Sequence, residues 1–179
     1  MVNEKSQDQL AEFMQKLIGL DTGERAALKN NAGKKLNEVG GSALAVFYKI
    51  LPLGVEQWNE GKFFTVGCMN CMWKKEEVKS KGILFETCLK QVRDQGYESF
   101  DSRVRALLDT DWDDDDGYLG VKLTRIVKQM KQKGIIPDFQ HLIMDLISWN
   151  AENRWVQRKW ARTYFGERQK PENKNREGN

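Results

Sequence analysis

Near its end the chain reads Asn-Arg-Trp-Val-Gln-Arg-Lys-Trp-Ala-Arg over residues 153–162. As a helix this segment sets Arg154, Arg158 and Arg162 four residues apart, so that three guanidinium groups share one face. Val156, Trp160 and Tyr164 share another face and suit packing. Like charges at that spacing repel by about 0.2–0.5 kcal/mol per pair on an exposed helix. The stripe therefore costs stability unless an anion neutralises it, and nucleic acid phosphate is the obvious anion. A solvated helix face is the competing account, and this segment alone does not separate the two.

Other residue types capable of chemistry lead elsewhere. Cys68-Met69-Asn70-Cys71 is a C-x-x-C, but it lies inside an apolar helical run, not at a helix start where the dipole would activate a thiol. With Cys88 and His141 it would make up a zinc set only if the fold brought all four together. The expectation is three buried packing cysteines and no metal. His141, the single histidine, has no nucleophile signature around it. The aspartates at 109, 111 and 113–116 fail the calcium-loop pattern. A loop starting at Asp109 puts Asp114 at the sixth position and Gly120 at the twelfth, where glycine and glutamate are needed. They read better as carboxylates in the first turn of a helix beginning near residue 114. No phosphate loop, dinucleotide fingerprint or zinc-protease motif occurs. The expectation is a protein with no catalytic residues and no cofactor.

Charge is distributed unevenly. Residues 101–116 hold seven aspartates against Arg103 and Arg105, a net −5, whereas residues 117–170 hold eleven basic residues against four acidic ones, a net +7. A directed field of this kind suits a polyanionic partner. No run approaches the roughly 18 apolar residues of a membrane span. The polar N-terminus and the odd cysteine count (three) argue against secretion, so a cytoplasmic location is expected.

The elements that must position these residues are helical. Leu10, Phe13, Met14, Leu17 and Ile18 recur at helical spacing behind a possible Ser6/Gln9 capping box. Asp21 and Glu24 repeat that signal before Arg25, Ala26, Leu28 and Lys29. Ser42 is expected to cap 43–51, which Pro52 closes. A buried helix over 56–73 and a polar loop over 74–81 follow. Further helices are expected at 83–94, 99–108 and 114–132, the last stopped by Gly134. Pro137 and Asp138 open another, and Asn150 is expected to cap the basic helix that ends near Gly166. Residues 167–179 read as a disordered tail. Period-2 alternation is lacking, so the chain is expected to be all-α: eight or nine helices in two small packed bundles, residues 1–95 and 96–166, with the seam at Gln95-Gly96-Tyr97.

The order and content of these segments resemble the small subunit of the type I-E CRISPR surveillance complex, Cascade (the CasB family). The resemblance rests on Leu20-Asp21-Thr22-Gly23-Glu24-Arg25-Ala26-Ala27-Leu28-Lys29 with Val46–Pro52, and on Arg103-Val104-Arg105-Ala106-Leu107-Leu108-Asp109. It rests most specifically on Trp149, Arg154–Arg162 and Tyr164-Phe165. It implies a non-catalytic, all-helical subunit that binds guide RNA and target DNA within a multi-subunit ribonucleoprotein. There it would help hold the strands opened when the guide invades a duplex, beside a second copy of itself and other Cascade subunits. By motif position the contacting residues would be Arg25, Lys29, Lys49, Arg103, Arg154, Arg158, Lys159 and Arg162. Asn153 and Trp155 stand where the family has more basic character, and the Asp113–Asp116 run is more acidic than the family leads one to expect. An exposed Trp155 would add about 1–3 kcal/mol of sequence-tolerant base stacking. The alternative from another class is a helical scaffold whose basic face binds an acidic protein.

Overall fold

In the computed structural model, which describes residues 4–96, 99–113 and 118–166, the described residues form nine α-helices and no strand. Helix α1 (Glu4–Gly19) buries Leu10, Phe13 and Leu17 completely, with Met14 and Ile18 at the margin of the same stripe. It already runs from Glu4, so Ser6 lies within it and does not cap it. Helix α2 (Thr22–Lys29) opens with the expected capping box: the Glu24 amide donates to Asp21 Oδ1 at 2.8 Å, and the Asp21 amide donates to Glu24 Oε2 at 3.1 Å.

A short 3-10 turn at Leu36–Glu38 leads into α3 (Gly41–Ile50). Ser42 is not its cap. The carbonyl of Gly40 accepts the Leu44 amide at 3.2 Å, so the helix starts two residues earlier with no side-chain cap. Its end is as read: Leu51 turns extended ahead of Pro52, whose ring disfavours helical backbone in the residue before it.

Helix α4 (Gln57–Asn70) is buried on every side from Lys62 to Asn70, because it runs through the middle of the molecule and packs against α2 and later helices. Helices α5 (Phe85–Asp94), α6 (Phe100–Leu108), α7 (Leu119–Gln132), α8 (Phe139–Ile147) and α9 (Trp155–Phe165) follow. Packing pairs early helices with late ones: α5 lies along α9, α4 along α8, and α1 also meets α8. The buried apolar side chains form one cluster running from Leu10 to Tyr164. No helix among the described residues is long and apolar enough to cross a membrane.

Two boundaries differ from expectation. Helix α7 begins at Leu119 with Tyr118 at its N-cap and has no acidic residue in its first turn, so the aspartate run precedes it. Asp114–Asp116 themselves lie outside the described residues, as does the 167–179 tail. Helix α9 begins at Trp155, and Asn150 does not cap it. Asn150 Oδ1 instead accepts the Trp112 amide at 3.0 Å, and the backbone turns through 151–154 before the helix starts.

Between α4 and α5 the chain crosses the segment ahead of α8 at backbone contact. Ile83 donates to the Ile136 carbonyl at 3.0 Å, and the Asp138 amide donates to the Ile83 carbonyl at 2.7 Å, forming an isolated parallel bridge. Gly82 makes this approach possible: a Cβ there would overlap the carbonyl of Pro137 and stand 2.7 Å from the Asp138 nitrogen. Gly82→Ala is therefore expected to cost about 1–3 kcal/mol, since backbone and not a flexible side chain must yield. Urea denaturation checks this; an unchanged midpoint would show that the crossing tolerates separation.

Candidate nucleic-acid interface

Helix α9 presents two faces with different roles. Val156, Trp160 and Tyr164 are fully buried, as their spacing predicts, while Arg158 and Arg162 point to solvent on the other side. Arg154 departs from a uniform stripe. It is the N-cap, held in the left-handed region at φ 48° and ψ 39°, and its guanidinium donates to the Leu108 carbonyl at the end of α6. That conformation is uncommon for a residue with a side chain. Trp155 is 41% exposed, with the Lys159 ammonium 5.5 Å from its ring centre.

Lys159 lies on the inner side of α9. Its ammonium is 2.8 Å from both oxygens of Asp145, which is 1% exposed, and 3.6 Å from Glu86 Oε1, also buried. His141 Nε2 stands 3.4 Å from the same ammonium. Lys159 thus serves as counter-ion to two buried carboxylates.

The remaining expected residues fall on separate surfaces. Arg25 is buried, and its guanidinium donates to the carbonyls of Leu17, Asn70 and Trp73 and to Asn70 Oδ1, joining the ends of α1 and α4. Lys29 is exposed one turn away. Lys49 is exposed and ion-paired with Glu24. Its hydrogen bond, followed by the one from the Asp21 amide, holds the Glu24 carboxyl below the usual range.

Arg103 belongs to a more concentrated feature. Between α6 and α7 lies a cleft of about 520 Å³ lined by Arg103, Ala106, Lys122, Arg125, Ile126 and Lys128. Four of these six described residues are cationic. Lys122 ties the walls together by donating to Thr110 Oγ1 and, at 3.4 Å, to the Ala106 carbonyl, while Arg125 and Lys128 face solvent. Lys122, Arg125 and Lys128 are not among the contacts expected from the sequence. Their spacing of three, opposite the apolar stripe of Leu123, Ile126, Val127 and Met130, was the signal that could have found them. Helix α6 is shared between this cleft and α9. Arg154 reaches its last turn, the Tyr164 hydroxyl meets Asp101 at 2.6 Å, and Arg105 lies 5.7 Å from the Phe165 ring centre. Helix α6 therefore forms one wall of the cleft and also meets both ends of α9.

Cys68, Cys71 and Cys88 are buried and unbridged. Burial pushes the Cys71 thiol up to about 11, the Cys88 thiol up to about 12 and the Cys68 thiol well above its ordinary value, which is the reverse of nucleophile activation. Among the described residues no three His, Cys, Asp or Glu side chains gather as metal ligands would.

Comparison with known proteins bears on this surface. A family model described as CRISPR-associated protein Cse2 matches residues 24–165. The curated CRISPR-associated protein Cse2 of Thermus thermophilus is 36% identical over 83 residues, 46% of this chain, and the match spans 45% of that relative's length. Among solved structures, CasB from Thermus thermophilus superposes with a TM-score of 0.70 at 22% identity, over 90% of this chain and 98% of its own. CasB from M. ruber gives 0.67 at 22% identity, over 88% and 92%. A chain of a structure described as a CRISPR RNA-guided surveillance complex gives 0.67 at 23% identity, over 89% and 91%. At these identities the structural likeness establishes a shared all-α fold. The family model, spanning the chain from within α2 to the end of α9, establishes more: the chain belongs to the CRISPR-associated Cse2 family.

Proposed function

We propose that this chain is a non-catalytic, cytoplasmic subunit of a CRISPR RNA-guided surveillance complex, binding nucleic acid through its phosphate backbone. In that role it assembles with a second copy of itself and with other Cascade subunits, stabilising guide–target pairing and the displaced strand. The observation that carries the reading is the α6–α7 cleft, where the described lining brings Arg103, Lys122, Arg125 and Lys128 together. Arg158, Arg162 and the half-exposed Trp155 extend cationic and stacking surface along the neighbouring α9. Family membership and the solved complex that contains a similar chain support the same setting. Clustered Lys and Arg without base-reading groups suit strands of any sequence, because phosphate contacts position without specifying. Exchange of a DNA duplex for a guide heteroduplex is nearly balanced, so a few such contacts decide how far it proceeds.

Two sets of substitutions test this on the isolated chain: Arg103→Ala/Arg125→Ala/Lys128→Ala in the cleft, and Arg158→Ala/Arg162→Ala on α9. All five side chains are exposed, so the fold should survive. Binding to single- and double-stranded DNA is expected to weaken without change of sequence preference. The slope of log K against log salt should flatten by about 0.9 per lost duplex contact, roughly 2–3 for the cleft set. Undiminished affinity with an unchanged slope in both folded variants would sink the reading. Loss of an acidic protein partner in place of nucleic acid would favour the scaffold alternative.

A further inference from the structure

One group of exposed apolar side chains belongs neither to the core nor to the basic surface. Tyr48 on α3 is 51% exposed, Leu53 in the following turn 94%, and Trp58 in the first turn of α4 71%. Tyr48 and Trp58 open onto a groove of about 580 Å³ whose other walls include Trp112 and Tyr118. A lone exposed aromatic is ordinary. Four aromatic residues around one groove, two of them largely in solvent, have the composition of protein–protein hot spots.

Charge selects the occupant. Glu60 and Asp113 line the groove, and Glu60 Oε2 accepts the Tyr48 hydroxyl at 2.8 Å, which sets a carboxylate against the aromatic wall. The lysines nearby lie against the groove's own rings, and Lys62 also faces Asp113. Lys35 lies 5.5 Å from the Tyr118 ring centre. Lys62, nearly buried, lies 5.9 Å from that of Trp112 and donates to Asn59 Oδ1 at 2.9 Å. A nucleic acid strand entering here would bring phosphates against two carboxylates. A guanidinium is suited to both features, since it stacks on Trp or Tyr faces and pairs with carboxylate. We propose that this groove docks an arginine-bearing segment of another protein, with Trp58 as the principal stacking contact and Glu60 and Asp113 as the counter-charges. The groove shares no lining residue with the α6–α7 cleft assigned to nucleic acid, so the inference stands independently of that assignment.

The test uses the full chain and labelled Gly-Arg repeat peptides as the probe, with Gly-citrulline repeats as the neutral isostere and oligothymidylate as the competing ligand class. The arginine peptide is expected to bind at least about tenfold more tightly than the citrulline peptide, as charge-assisted pairing requires. Trp58→Ala should weaken it by about 30-fold, the size of a hot-spot truncation. Glu60→Gln/Asp113→Asn should abolish the preference over citrulline. Both variants should keep the wild-type urea midpoint and wild-type oligothymidylate affinity. Four outcomes overturn the proposal: no binding of the arginine peptide, equal binding of the citrulline peptide, arginine-peptide binding indifferent to Trp58→Ala, or a fall in oligothymidylate affinity in that variant. Concentration-dependent self-association that Trp58→Ala removes overturns it as well, by assigning the groove to a second copy of the chain.

Discussion

Lys159→Ala is expected to destabilise the protein by about 3 kcal/mol, the lower end of the range for removing one partner of a buried ion pair, because its side chain keeps 30% exposure. The reason is the company Lys159 keeps. Asp145 on α8 and Glu86 on α5 are both buried, and this ammonium on α9 is the cation shared between them. Asp145 also accepts the Trp160 indole N–H at 2.8 Å, while Glu86 Oε2 accepts no hydrogen bond from the described residues. Without the lysine, two carboxylates face each other's helices with His141 as the nearest remaining base. A Lys159→Met/Asp145→Asn pair should recover part of the loss, because an amide needs no counter-charge. Chemical denaturation of wild type, Lys159→Met, Asp145→Asn and the double variant measures the coupling. If Lys159 were chiefly a phosphate contact, the alanine variant would instead keep its stability and lose DNA affinity per folded molecule.

Trp160→Ala should cost as much or more, about 3–5 kcal/mol, by a different mechanism. The indole is fully buried, stacked on Phe85 with ring centres 4.7 Å apart and set edge-on to Trp149 at 5.0 Å. Its removal opens a cavity between α5 and α9 and strips Asp145 of a donor. For a chain of this size the melting temperature should fall by roughly 10–15 °C. Trp160→Phe should lie between, keeping ring contact while losing the indole N–H. DNA affinity, corrected for the folded fraction, should stay near wild type, because the exposed arginines lie on the opposite side of α9. A small change in stability would mean the three-ring cluster closes around the gap.

The helices were legible in the sequence wherever apolar residues recur at spacings of three and four, because burial of one face imposes that period. Leu10, Phe13 and Leu17 on α1 and Leu123, Ile126, Val127 and Met130 on α7 are buried as read. So was the Asp21/Glu24 capping box, whose partners are three residues apart and need nothing distant. Caps that depend on distant residues were not legible. Asn150 is drawn to the Trp112 amide, 38 residues away, and leaves Arg154 to open α9.

The residue types at the interface were visible in the same way, but their assignment was a tertiary matter. Sequence placed Arg25, Lys159 and Arg158 in one class, since each is a cation on a helix. Folding put Arg25 among four backbone and amide acceptors and Lys159 between two buried carboxylates, and left Arg158 in water. Burial of their partners is what separates them: a cation beside buried acceptors satisfies them inside the protein, and a solvated one can meet a phosphate. The cleft formed because α6 and α7 pack side by side, bringing Arg103 beside Lys122, Arg125 and Lys128. The sequence by itself determined an all-α protein with an acidic stretch over 101–116 followed by a basic one over 117–170. Which cations share a surface, and which hold the core together, only the packing of distant helices decided, because that choice depends on contacts between residues far apart in the chain.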